Sequence, residues 1–99
     1  MQRATVDLSS IVDWDSFHNV FACSFAFPVW YGRNMDAWID CMEDYAIGAG
    51  TLSLQLEGMD RLKRELPEMY EAINECSAFI NHRSIAAGRD GLLSLAYES

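Results

Sequence analysis

Basic residues are scarce in this chain: seven Lys and Arg stand against fifteen Asp and Glu in 99 residues, a formal net charge of −8. That shortage argues against a nucleic-acid surface, which needs clustered cations to displace counterions. It argues equally against a surface made for anionic lipid. Long apolar runs are also missing, and nothing approaches the roughly 18 residues of a membrane span. The start, Met1-Gln2-Arg3-Ala4, lacks the apolar stretch and small-residue cleavage pattern of a signal peptide. Cysteine is sparse and odd in number. Cys23, Cys41 and Cys76 cannot all pair within one chain, and none falls in a CxxC or zinc-ligand spacing. Each lies beside apolar residues at helical spacing, so all three are expected as reduced core cysteines of a cytoplasmic protein.

What is present is enough for a core. Hydrophobic residues make up 51% and aromatics 12%, too apolar for a disordered acidic tail. The length suits a single domain over residues 1–99. If charge matters to its partner, that partner is basic.

Periodicity gives the element order. Thr5-Val6-Asp7-Leu8 reads as a short strand. Asp13 caps a helix whose Trp14, Phe17, Phe21 and Phe25 recur at i, i+3, i+7 and i+11, and that helix must stop before Pro28. Asn34 caps a second helix from Met35 to about Tyr45, closed by Gly48 and Gly50. Leu52, Leu54 and Leu56 then alternate with Ser53, Gln55 and Glu57, the pattern of a strand with one dry face. A short helix carries Met59, Leu62 and Leu66. Pro67 opens another, with Met69, Ile73, Cys76 and Ile80 in a stripe. Asn81 to Gly91 is polar and reads as a loop or frayed helix end, and Leu92 to Tyr97 as a buried closing strand. The order β-α-α-β-α-α-β predicts an α/β fold: a small three-stranded parallel sheet, right-handed crossovers, and about four helices mainly on one face.

The second helix carries the chemistry. At 3.6 residues per turn Asp36, Asp40, Glu43 and Asp44 share an arc of about 100°, and no Lys or Arg lies between positions 34 and 60. Trp38, Cys41, Met42 and Tyr45 form the opposite, apolar arc, with Ile39 at the border. Local physics disfavours the acidic side. Asp36 with Asp40, and Asp40 with Asp44, are like-charge pairs at i, i+4, each costing about 0.2–0.5 kcal/mol. Glu43 and Asp44 also sit toward the negative end of the helix dipole. Such local costs mark a functional surface or a solvated face of an acidic protein, and periodicity leaves both open. Just upstream, Trp30 and Tyr31 stand in a turn as candidate interface anchors or core residues.

The run Pro28-Val29-Trp30-Tyr31-Gly32-Arg33-Asn34-Met35-Asp36-Ala37-Trp38-Ile39-Asp40-Cys41-Met42 resembles the barstar family, the intracellular ribonuclease inhibitors of bacteria. The shared elements are Pro-x-aromatic-Tyr-Gly-x-Asn-hydrophobic-Asp-Ala-x-x-Asp-Cys. The resemblance implies a barstar-like fold and an inhibitory surface made by this helix and the turn before it, whose carboxylates stand where RNA phosphates would. It makes Trp30 an aromatic cap over the target's catalytic groups, and Asp36 and Asp40 the main charge partners, with Asp40 central. Ile39, Glu43, Asp44 and Tyr45 complete the surface, and a later helix contributes Glu75 or, alternatively, Glu71. Four features depart from the family pattern: Trp38-Ile39 where Leu-Trp is common, Arg33 where an acid is common, the charges of Glu43 and Asp44, and a longer segment between Asn81 and Gly91.

The expected function is therefore a proteinaceous inhibitor that blocks the active site of a basic ribonuclease, a monomer forming a 1:1 complex. It uses no cofactor and no metal and makes no direct contact with nucleic acid or membrane. The departures also fit an immunity protein against a co-encoded toxin that is not a typical guanyl-specific ribonuclease. An acidic adaptor and a metal-dependent enzyme are more remote. The carboxylates could bind Mg²⁺, yet no phosphate-binding glycine loop, DxDxDG loop or neighbouring histidine supports catalysis.

Overall fold

The computed structural model describes residues 2–98. Its elements are β1 (Gln2–Asp7), α1 (Trp14–Phe25), α2 (Met35–Ala49), β2 (Leu52–Glu57), α3 (Met59–Glu65), α4 (Pro67–Ala86) and β3 (Leu93–Glu98). This is the α/β order expected, four helices with a three-stranded sheet. The strands run β1-β2-β3, both pairs parallel, with Ala4 beside Leu54 beside Leu95 in the central register.

The alternation in β2 explains the layering. Leu52, Leu54 and Leu56 are fully buried, and each is worth about 1.5–3 kcal/mol relative to exposure. Their register partners Ala4, Val6, Leu93 and Leu95 join them on that face, against the helices. Arg3, Thr5 and Ser94 turn to the other face and are exposed. Helices therefore cover one face of the sheet, the arrangement that two crossovers of the same hand in the same direction produce.

Local signals place the helix ends. Asp13 and Ser16 form a reciprocal capping box at the start of α1. Asn34 accepts from the Ala37 N–H at 2.8 Å and starts α2. Gly58, at φ 90°, begins α3 in a left-handed conformation that a Cβ would strain. Arg61 of α3 donates to the carbonyls of Leu8 and Ile11, fixing the β1–α1 connection to α3.

Five expectations need correction. The polar stretch from Asn81 is helical as far as Ala86, so the loop is short. Asn81 Oδ1 accepts from the Leu92 and Leu93 N–H groups and its amide donates to the Leu93 carbonyl, while Ser84 Oγ donates to the Asp90 carbonyl. Those tertiary bonds stabilise helix turns that carry little apolar surface. Helix α2 passes through Gly48 and ends at Gly50. β1 spans Gln2–Asp7 and β3 spans Leu93–Glu98, shifting both terminal strands from their expected bounds. Cys23 is exposed, and Cys41 and Cys76 are half-buried, so none is a fully buried core cysteine, although all three are free thiols. Tyr97, expected in a buried strand, is 45% exposed.

Candidate functional site: an acidic and aromatic face

The site begins with the turn between α1 and α2. Ala26 ends α1 in the left-handed region, with its N–H on the Ala22 carbonyl, and Tyr31 N–H closes a turn on the Pro28 carbonyl at 2.9 Å. Two contacts fasten this turn to α1. Tyr31, 9% exposed, places its hydroxyl 2.6 Å from Nδ1 of buried His18. Arg33 donates to the Asp15 carboxylate at 2.7 Å and to its carbonyl at 2.9 Å. The cation departing from the family pattern is thus paired with α1. Between these anchors Val29 and Trp30 are 100% and 81% exposed, a large aromatic displayed from a fixed base. Of the two candidate anchors, Tyr31 serves the core and Trp30 faces solvent.

Burial perturbs the groups under the turn. It lowers the His18 pKa, with the nearby Arg33 charge acting in the same direction, so the imidazole is held neutral. Burial also pushes the Tyr31 phenol far above its usual range. The Cys41 thiol is raised by burial and by Asp44 and Asp40, and the Cys76 thiol by burial, Glu75 and Asp36. Neither is set up as a thiolate nucleophile.

Helix α2 stands on its apolar side. Trp38, Met42 and Ala46 are fully buried, and Trp38 meets Phe21 edge to face at 5.5 Å. Cys41 and Tyr45 lie at the margin, half-buried. Tyr45 packs edge-on against Phe25 at 4.9 Å and accepts from the Gln2 amide at 2.9 Å.

Two pockets flank the exposed arc, and Asp40 borders both. The first, about 470 Å³, lies under the turn and is lined by Phe25, Phe27, Trp30 and Tyr31 with Asp40, Asp44 and Tyr45 among its α2 residues. The second, about 460 Å³, lies between α2 and α4 and is lined by Asp36, Ile39, Asp40, Glu75, Cys76, Phe79 and Arg83. The structure therefore brings Trp30, Asp36, Ile39, Asp40, Asp44, Tyr45 and Glu75 onto one continuous face. Glu75 lines the second pocket, and Glu71 is not among its lining residues.

Glu43 is placed differently from its neighbours. Its side chain is 21% exposed and holds Arg83 of α4 in a two-pronged bond, Nε to Oε2 at 2.9 Å and Nη2 to Oε1 at 2.8 Å. The same Nη2 lies 3.8 Å from Asp40, and the guanidinium sits over the Phe79 ring at 5.1 Å. The Glu43 hydrogen bonds hold the Arg83 pKa above its ordinary value. Sequence reasoning missed both Phe79 and Arg83. The available signal was the i, i+4, i+8 series Glu75, Phe79, Arg83 on one side of α4, which disappears if the helix is taken to end near Ile80.

Among the described residues, no three of His, Cys, Asp and Glu converge as a metal-ligand set. No helix among them is long and apolar enough to cross a membrane.

Fold and face together define a class: a small βααβααβ protein with an aromatic turn and an acidic helix displayed side by side. A family model described as "Barstar (barnase inhibitor)" matches residues 1–91 of the chain. The chain belongs to the barstar family, which that description characterises by inhibition of barnase. A search among curated proteins returned no match.

Proposed function

We propose that this protein inhibits a basic ribonuclease by placing the Trp30 turn and the exposed side of α2 in its active-site cleft. The carrying observation is the coincidence, in a chain of the barstar family, of an 81% exposed Trp30 with Asp40 on one face. A nuclease cleft that binds RNA presents cations to phosphates. Asp36, Asp40, Asp44 and Glu75 offer carboxylates to those cations, with Asp40 at the centre because it borders both pockets. Ile39 and Tyr45 supply apolar contact, and Trp30 covers the catalytic groups. Glu43 joins this surface through its grip on Arg83. The protein acts as a monomer in a 1:1 complex, in the cytoplasm, without a cofactor.

The test is an RNA-cleavage assay with purified barnase and with any nuclease toxin encoded beside this gene, titrated with wild-type protein, Asp40→Ala and Asp60→Asn. Asp60 lies on α3, which lines neither pocket. Stoichiometric inhibition that Asp40→Ala weakens at least about tenfold and Asp60→Asn leaves nearly intact supports a defined site; a buried charge-assisted bond is worth that much. Equal losses in the two variants, or no inhibition of any nuclease captured from the source cell, reject the proposal. Inhibition of the co-encoded toxin but not of barnase assigns the protein as an immunity factor.

A further inference from the structure

We propose that Arg83 determines where on this face a partner's cation enters, by occupying the guanidinium position beside Asp40 and Glu43 and leaving the aromatic pocket as the one without a resident cation. This deepens the binding reading above and rests on it.

The two pockets bordering Asp40 are similar in volume and differ in the charge that lines them. The one between α2 and α4 has a guanidinium in its wall. Arg83 is forked onto Glu43, lies within 3.8 Å of Asp40 and rests on Phe79, the set of contacts that an incoming arginine would seek. The other pocket offers Asp40 and Asp44 among Trp30, Tyr31 and Tyr45, and no Lys, Arg or His lines it. A partner cation entering beside Glu43 must break a two-pronged bond and meet a like charge. One entering beside Asp44 meets that carboxylate, the more weakly engaged Asp40 and aromatic faces, with no bidentate pair to break.

The consequence concerns selectivity. An acidic helix without Arg83 would attract any basic surface along its whole length. With Arg83 in place, the partner must deliver its cation on the Trp30 side and leave room, or an acceptor, at Arg83. Repulsion at one position and attraction at the next separate one basic target from another. Glu43 accordingly acts as a positioning residue, contributing to recognition through Arg83.

The experiment uses a hexa-arginine peptide at low ionic strength, titrated into the full chain and followed residue by residue by NMR of side-chain carboxyl and indole groups. In the wild type, Asp40, Asp44 and the Trp30 indole should shift while Glu43 stays nearly still. Arg83→Gln keeps a polar side chain with a shorter stem and removes the charge together with the guanidinium over Phe79. It should bring Glu43 into the set and tighten peptide binding by about two- to fivefold, the size of one exposed charge pair. Arg64→Gln, on α3, changes net charge equally and should leave Glu43 still. The proposal is overturned if Glu43 shifts like Asp44 in the wild type. It is also overturned if the peptide shifts neither Asp40 nor Asp44, if Arg83→Gln changes nothing, or if Arg64→Gln recruits Glu43 as well. A protein that behaves as expected with the peptide but inhibits no nuclease retains this role for Arg83 and loses the inhibitor reading. A nuclease inhibitor whose Glu43 is engaged by the peptide does the reverse.

Discussion

Removing one oxygen atom under the turn should be costly although it touches no proposed contact. Tyr31→Phe deletes the hydroxyl that sits 2.6 Å from His18 Nδ1, and His18 is only 4% exposed, so water cannot replace it freely. Because only one partner is removed, the loss is set by the buried ring nitrogen left orphaned, about 1–3 kcal/mol, and a value near 2 kcal/mol is expected. The ring's packing on Phe27, 4.8 Å away, should survive the substitution and adds nothing to the loss. With a urea slope of about 2 kcal/mol/M for a small protein, the unfolding midpoint should fall by about 1 M at unchanged slope. Intrinsic tryptophan fluorescence against urea is a sufficient assay, since Trp14 stacks on His18 and Trp38 is fully buried in the core. His18→Phe combined with Tyr31→Phe removes both polar partners and should be less damaging than the sum of the single changes. A loss below about 0.5 kcal/mol for Tyr31→Phe, or strict additivity in the pair, would refute the claim that this bond fastens the turn.

Three further outcomes are expected. Stability should fall as pH drops below about 6.5, the unperturbed His value, because burial lowers the native His18 pKa and the unfolded chain then binds more protons. The loss should level off once native His18 itself protonates, and urea unfolding of His18→Asn across this pH range should show the slope reduced. Trp30→Ala should leave the unfolding free energy within about 0.5 kcal/mol of wild type, since an 81% exposed ring supports little packing, while nuclease inhibition falls. Asn34→Ala removes the acceptor for the Ala37 N–H and should destabilise by about 1 kcal/mol. Amide exchange in that variant should accelerate first at the beginning of α2, where the acidic arc starts.

Most of the fold was legible because it was written locally. Asp13 and Asn34 cap where their side chains reach the next turn, and Leu52, Leu54 and Leu56 alternate where a sheet has one dry face. The acidic arc of α2 was equally readable, since 3.6-residue periodicity alone assembles Asp36, Asp40 and Asp44. Features created by distant partners were not readable. Asn81 and Ser84 look like loop residues until the start of β3 and its preceding loop supply their hydrogen bonds. Arg83 lies 40 residues from Glu43, so no local window pairs them. Cys23 sits among aromatics in sequence but points away from the buried Phe17, Phe21 and Phe25 side of α1.

Helix α2 carries the candidate contacts on one side and is set into the core on the other, where Trp38, Met42 and Ala46 have no exposed surface left. The backbone under Asp36, Asp40 and Asp44 has therefore lost its freedom at folding, not at encounter. Ordering a flexible acidic segment on a target would cost about 1–2 kcal/mol for every residue fixed. Here only side-chain rotamers remain to be fixed, at about 0.5–1.5 kcal/mol apiece. More of the attraction between carboxylates and target is then left to appear as affinity. In the proposed complex the buried ring of Trp38 would bear on binding through entropy, from a position with no exposed surface.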